Sequence, residues 1–176
     1  MCRIVITLCL FAVLISPVFA DKNGHISITA KAELYDPPGD ANIAPMFTVQ
    51  ARYRMSAFLA IVGSGSWTNY DYSGADVTYI PIAIDGEAHP LGRSVFDPYG
   101  GAGISFNYRQ YDYDEVEDET DLTIGVELLG GVTYKPKNNF GFQFDVKYRI
   151  EDIANPGDSG SWTVGGGVTG SWEADI

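Results

Sequence analysis

The sequence predicts an all-β protein, an eight-stranded antiparallel up-and-down transmembrane β-barrel. Three observations predict it. Apolar and polar residues alternate with period two along most of the chain after residue 20. The alternating runs are long, and an apolar leader precedes them. Mean hydropathy is near zero. A barrel wall produces that value, because lipid-facing residues are interleaved with polar ones.

The leader is read first. Met1-Cys2-Arg3 supplies one positive charge, and Ile4 to Leu14 is almost unbroken apolar. Ser16-Pro17 breaks that run, and Val18-Phe19-Ala20 offers small residues before Asp21. This is the pattern of a secretory signal peptide over residues 1–20, with the barrel domain over 21–176. The stretch is short for a spanning helix of about 20 residues. Cys2 and Cys9 are the only cysteines and both fall in the leader. The mature part is therefore expected to lack disulfides and thiolate metal sites. Ala20 and Asp21 stand at the cleavage point, where a lipid-anchored protein would need cysteine.

The strands follow in order. Ile26, Ile28, Ala30, Ala32 and Leu34 share one face against Ser27, Thr29, Lys31 and Glu33. Phe47, Val49, Ala51, Tyr53 and Met55 oppose Thr48, Gln50, Arg52 and Arg54. Phe58 to Tyr70 starts apolar and turns Gly/Ser-rich. Val77 to Ile84 carries Pro81, which a strand ladder tolerates poorly. Ala102, Ile104, Phe106 and Tyr108 oppose Gly103, Ser105, Asn107 and Arg109. Leu122, Ile124, Val126, Leu128, Val132 and Tyr134 oppose Thr123, Gly125, Glu127, Gly131, Thr133 and Lys135. After Pro136-Lys137-Asn138-Asn139, Phe140, Phe142, Phe144, Val146, Tyr148 and Ile150 oppose Gly141, Gln143, Asp145, Lys147 and Arg149. Trp162, Val164, Val168 and Trp172 complete the count of eight. Strands of about nine to eleven residues exceed the soluble mode of five to six and suit a tilted crossing of a bilayer.

Connections are expected to alternate in length, as barrels place short turns in the periplasm and longer loops outside. The longer ones are expected at Tyr35–Pro45, Asn69–Asp76, Gln110–Asp121 and Glu151–Ser161. Asp85 to Pro98 breaks the rule as a long connection where a short one is due.

The polar faces would place Lys31, Arg52, Arg54, Arg109, Lys147 and Arg149 inside, against Glu33, Glu127 and Asp145. Eight strands enclose only enough space for their own side chains. These charges are therefore expected to form a lumen ion-pair network, with water or an anion covering the excess of bases. Interior packing of a plugged barrel and a narrow anion-preferring path or ligand site are the two readings of this cluster.

Acidic residues concentrate in the connections. The run from Asp112 to Asp121 holds seven acids and no base. Asp114, Glu115, Glu117, Asp118 and Glu119 are candidate ligands for a hard divalent cation. The spacing does not match a helix-loop-helix calcium loop, and a solvated acidic loop explains the run equally. No metal or other cofactor is otherwise expected. Tyr35, Tyr70, Tyr72, Tyr99, Tyr111, Tyr113, Tyr134, Tyr148, Trp67, Trp162 and Trp172 fall mostly near strand ends, as two interfacial girdles would require. The net charge of −12 with no basic stripe excludes nucleic-acid binding.

Tyr79-Ile80-Pro81-Ile82, followed by Phe96-Asp97-Pro98-Tyr99-Gly100-Gly101-Ala102-Gly103-Ile104-Ser105-Phe106, resembles the middle of small outer-membrane β-barrel proteins. In that group an Ile-Pro strand precedes a Pro-Tyr-x-Gly-Ala-Gly segment. The resemblance is in style to the OmpW-, OmpX- and OmpA-like eight-stranded barrels and runs through Leu122–Tyr134 and Phe140–Arg149. It implies residence in the outer membrane, contact with its lipid and lipopolysaccharide, folding by the barrel-assembly machinery and a monomeric state. Likeness to OmpW would imply transport of small hydrophobic compounds. The chain departs from the group in its ending, Trp172-Glu173-Ala174-Asp175-Ile176, where a terminal aromatic is usual.

An enzyme is not expected. His25 and His89 are the only histidines, and neither belongs to a Ser/His/acid motif. Three functions are therefore weighed. The first is a structural or interaction barrel at the cell surface with a side-chain-filled polar lumen and acidic external loops. The second is a narrow channel or transporter, and the third is a soluble periplasmic lipocalin-like binder. The third would turn Phe142, Phe144 and Val146 inward and leave Lys147 and Arg149 in water.

Overall fold

The computed structural model describes residues 24–92, 94–113, 119–137 and 139–174. The leader therefore lies outside the described residues. Eight strands run β1 (Gly24–Asp36), β2 (Ala44–Arg54), β3 (Leu59–Tyr72), β4 (Ala75–Ala88), β5 (Phe96–Asp112), β6 (Glu119–Lys137), β7 (Phe140–Ile150) and β8 (Gly160–Ala174). Each pairs antiparallel with its sequence neighbour. β1 closes the cylinder against β8, in register from Gly24 opposite Ala174 to Asp36 opposite Trp162.

The period-two pattern determines which face meets which solvent. In β7, Phe142, Phe144 and Val146 are exposed at 49%, 54% and 40%, whereas Lys147 and Arg149 are 5% and 4% exposed. The greasy side of the sheet therefore points outward and the ionic side points to the axis, the reverse of a lipocalin. Phe47 and Val49 of β2, Ile61 and Trp67 of β3, and Leu122 and Leu128 of β6 extend the apolar outer surface around the barrel. The shortest strands have 11 residues. At about 3.3 Å per residue they reach roughly 36 Å, enough to cross the bilayer core at a tilt of about 45°.

Several connections differ from the sequence reading. β3 and β4 run on to meet at Ser73-Gly74, both at positive φ (52° and 82°). That is the geometry of a two-residue hairpin whose twist matches its strands, so no long loop exists there. β4 and β5 likewise extend into the span read as the connection Asp85–Pro98, leaving only residues 89–95 between them. Half of the span read as a long connection is thus strand. Pro81 interrupts pairing at one edge only. The β3–β4 ladder skips from Gly65–Ile82 to Thr68–Tyr79, while the β4–β5 ladder is continuous through Pro81 and Asn107. A residue without an N–H forfeits bonds on one side of its strand.

A charged side chain on the outer face at mid-strand should be costly. Phe144→Arg is expected to lower stability by about 2–4 kcal/mol, the usual range for Arg at the bilayer midplane, and Phe144→Leu by much less. Urea unfolding in lipid vesicles checks this.

Candidate functional site

The interior of the cylinder holds the site. Inward positions on each strand continue one parity, and long polar side chains from several strands meet at the axis. Lys31, Glu33, Arg52, Arg54, Arg109, Glu127, Asp145, Lys147 and Arg149 are all buried, none more than 7% exposed. The Lys31 ammonium lies 2.9 Å from Glu33 and 3.0 Å from Asp145. Glu127 takes Arg149 through Nε at 2.7 Å and through a terminal nitrogen at 2.5 Å, with Lys147 at 3.7 Å. Arg109 pairs with Glu151 and stacks over the Tyr79 ring.

Residues absent from the sequence reading complete the network. Asp85, Glu87, His89 and Asp97 were placed in a connection, and Glu151 in an external loop; all five are buried at 3% exposure or less. Arg52 grips Glu87 with two nitrogens, at 2.6 and 3.1 Å, and stacks over Tyr99. Arg54 pairs with Asp97. The two ring nitrogens of His89 face Asp97 at 3.1 Å and Glu87 at 3.2 Å. The carboxylates of Glu87, Asp97 and Glu151 thus take up the three bases in excess by the sequence count, whereas neither oxygen of the buried Asp85 accepts a hydrogen bond. Strand parity held the missing signal: 85, 87, 97 and 99 continue the inward positions of their strands.

Neutral groups tie the pairs together. Gln143 accepts from Arg52 at 3.2 Å and donates to Asp145 at 2.8 Å, and Tyr99 donates to Asp145 at 2.9 Å. Arg149 donates to the Tyr79 hydroxyl at 3.1 Å, which donates to Asn107 at 2.8 Å. Tyr35 donates to Glu151 at 2.7 Å and stacks on Tyr79 at 5.2 Å between ring centroids. Tyr35 and Tyr99, expected in the girdles, are therefore lumen residues, whereas Trp67, Tyr72, Tyr134, Trp162 and Trp172 are exposed.

Room for these chains comes from glycine. Asp85 lies directly across from Gly103, Glu87 from Gly101, Lys31 from Gly167 and Glu33 from Gly165. A Cβ on Gly167 would meet the Lys31 Cγ at 2.7 Å, and one on Gly103 would collide with the Asp85 carboxylate.

A cavity lies at each end. At the end where β1 begins and β8 ends, a vestibule of about 570 Å³ is lined by Arg52, Arg54 and Lys135 among others. At the opposite mouth, about 510 Å³ is lined by Tyr70, Tyr72, Tyr111, Asp121, Asp152 and Asp158, with Arg109 below. Beside that mouth the Asp152 carboxylate accepts from the Asn155 amide at 2.7 Å and the Ala154 backbone at 2.9 Å. These bonds hold its pKa below the usual carboxylate value. Of the cation candidates, Asp114, Glu115, Glu117 and Asp118 lie outside the described residues, and Glu119 is exposed at the start of β6. Among the described residues no group of three or more His, Cys, Asp or Glu is placed to hold a metal ion.

A closed eight-stranded cylinder with an apolar outside and an ionic inside defines an outer-membrane barrel protein. The chain is similar in fold to solved barrels of that class. Neisserial surface protein A is 17% identical over 84% of this chain and 96% of its own, with a TM-score of 0.67. OprG of Pseudomonas aeruginosa is 14% identical, covering 89% and 100%, at 0.68. Ail, the attachment invasion locus protein of Yersinia pestis, is 17% identical, covering 85% and 99%, at 0.55. No curated protein matches the sequence. The family model for the outer membrane protein beta-barrel domain matches residues 6–169, and the chain belongs to that family. Its place is the outer membrane.

Removing one partner of a buried pair should unmask the other. Glu127→Leu or Arg149→Met alone is expected to cost about 3–5 kcal/mol, and the double variant much less than their sum. A double-mutant cycle by urea unfolding measures the coupling.

Proposed function

We propose that this protein is a non-conducting, non-enzymatic barrel with a structural or interaction role at the cell surface. The carrying observation is the continuous polar plug. Lys31, Glu33 and Asp145, then Lys147, Glu127 and Arg149, then Tyr79, Tyr35 and Glu151, fill successive levels of the lumen with direct contacts. Opening a path through them would strand charges in a low-dielectric space, at several kcal/mol for each unpaired group.

The surface role rests on the outer mouth. Its lining holds three aspartates around three tyrosines, and the densest acidic run of the sequence lies between β5 and β6. Ail, similar in fold, is named for attachment and invasion. The barrel would sit as a monomer among lipopolysaccharide, placed there by the barrel-assembly machinery after loss of residues 1–20.

Planar-bilayer recording tests closure. The refolded barrel is expected to give no discrete conductance steps in about 1 M salt, because salt screens buried pairs far less than exposed ones and leaves the plug in place. Reproducible steps would restore the narrow-channel reading.

A further inference from the structure

The wall of the cylinder is not equally tall all round. At the outer end β3 pairs with β4 up to Tyr72 and Ala75, β4 with β5 up to Asp76 and Asp112, and β5 with β6 up to Tyr111 and Glu119. The flanking ladders stop lower, β2–β3 at Met46 and Thr68, β6–β7 at Val126 and Ile150. A four-stranded sheet therefore stands above the barrel with two side edges. On β3 the edge is lined by the β1–β2 connection: Thr68 donates to the Pro45 carbonyl at 2.8 Å, and a Cβ on Gly39 would meet the Tyr72 ring at 3.4 Å. On β6 the connection after β7 reaches only the lower part. The Ile153 N–H donates to the Ile124 carbonyl at 3.0 Å, and the Thr123 hydroxyl to the Glu151 carbonyl at 2.7 Å. Above these bonds, Glu119–Leu122 pairs with β5 alone among the described residues.

Alternation tells which backbone groups are left over. Successive residues of a strand turn their N–H and C=O to opposite neighbours. The Ile124 carbonyl faces away from β5, so the backbone groups of Leu122 and Thr120 do too. Each presents an N–H and a C=O at an open edge, which is a template for another strand.

We infer that this edge takes up an extended segment of another protein as an added strand, one that alternates basic with apolar residues. The two faces of β6 dictate that alternation. Asp121 lines the outer mouth with Asp152 and Asp158, and Glu119, two residues away, shares its face. On the other face Leu122 is 70% exposed, and Ile153 below it is 53% exposed. No Lys or Arg occurs from residue 110 to 134 or after Arg149, and Arg109 is held by Glu151. Carboxylates on an open edge repel a second copy of that edge and attract a basic strand. Main-chain bonds supply affinity in strand addition, and alternate side chains supply selection. Basic side chains of the added strand would stand beside Glu119 and Asp121, and its apolar ones beside Leu122. The inference rests on the surface-interaction role proposed above and not on closure of the lumen. Conductance steps with strand addition would overturn closure alone, and a silent barrel that adds no strand would overturn the edge alone.

The test is a titration of the refolded, 15N-labelled barrel in uncharged detergent micelles at fixed ionic strength. The probe is a capped peptide of three Lys-Val repeats. Two controls carry the same charge: one gathers the lysines and the valines into separate blocks, and the other is N-methylated at every residue. The Lys-Val peptide should give saturable amide shifts over Glu119–Leu122. The Thr120 and Leu122 amides should gain protection from hydrogen exchange, while that of Asp121, which faces β5, keeps its rate. Both controls should bind at least about tenfold more weakly, the loss of one or more hydrogen bonds. Thr120→Pro removes an edge N–H where proline leaves the β5 ladder intact, and should also weaken binding about tenfold. Asp121→Asn should weaken it about threefold. No saturable shift, equal binding of either control, or no added protection at Thr120 and Leu122 overturns the proposal. Undiminished binding to folded Thr120→Pro overturns the edge and leaves the surface role standing; if that variant does not fold, the N-methylated peptide decides.

Discussion

The structure depends on mutual neutralisation of charges in a space too narrow for bulk water. Eight strands make a lumen that side chains fill, so an ion placed there must meet its counter-ion directly. The bidentate grip of Arg52 on Glu87, and the two nitrogens that Arg149 turns on one oxygen of Glu127, meet this demand with geometry that a lysine could not reproduce. These pairs do more than tolerate burial. Three of the lumen pairs link strands that are not neighbours: Lys31 of β1 to Asp145 of β7, Arg52 of β2 to Glu87 of β4, Arg54 of β2 to Asp97 of β5. The backbone ladder joins only neighbours, so the ionic groups are the bracing across the cylinder.

Register and bracing reinforce one another. A one-residue slip of any strand would send its lumen charges into lipid and its aliphatic residues to the axis. Lys147 and Phe144, on opposite sides of β7, would both be misplaced by such a slip. Pro81 illustrates how far the arrangement tolerates local loss. It gives up pairing with β3 at one point yet keeps the inward parity of β4, so Tyr79 on one side of it still reaches the network and Asp85 on the other is still buried in the lumen.

Much of this was legible in the sequence. The alternation in Phe140–Ile150 and Leu122–Lys135 gives both the strands and their faces, because a side-chain period of two leaves only the choice of solvent. Strand length, the glycine-rich strands and the resemblance favoured lipid for the apolar face. What could not be read had a common cause. Pro81, Pro90 and Gly92 punctuate the chain between residues 81 and 98, and such residues usually mark loops. The acids Asp85, Glu87 and Asp97 consequently looked like loop residues, and the lumen looked over-supplied with bases. Tyr35 and Tyr99 were assigned to the interface by their position near strand ends, although their parity with Glu33 and Asp97 turns them inward. Ser73-Gly74 hid a tight hairpin behind a run of polar residues. In each case the long-range rule of parity outweighed a short-range composition signal.

The notches opposite the long lumen chains carry an evolutionary consequence. Because Lys31 rests across Gly167 and Asp85 across Gly103, neither member of such a couple can drift alone. Enlarging the glycine evicts the ion, and shortening the ion leaves a void with a stranded counter-charge behind it. Divergence inside this barrel should therefore proceed by exchange, a bulky residue and its vacancy trading strands together. Two descendants could then look unrelated position by position while preserving the same filled volume and the same number of opposed charges.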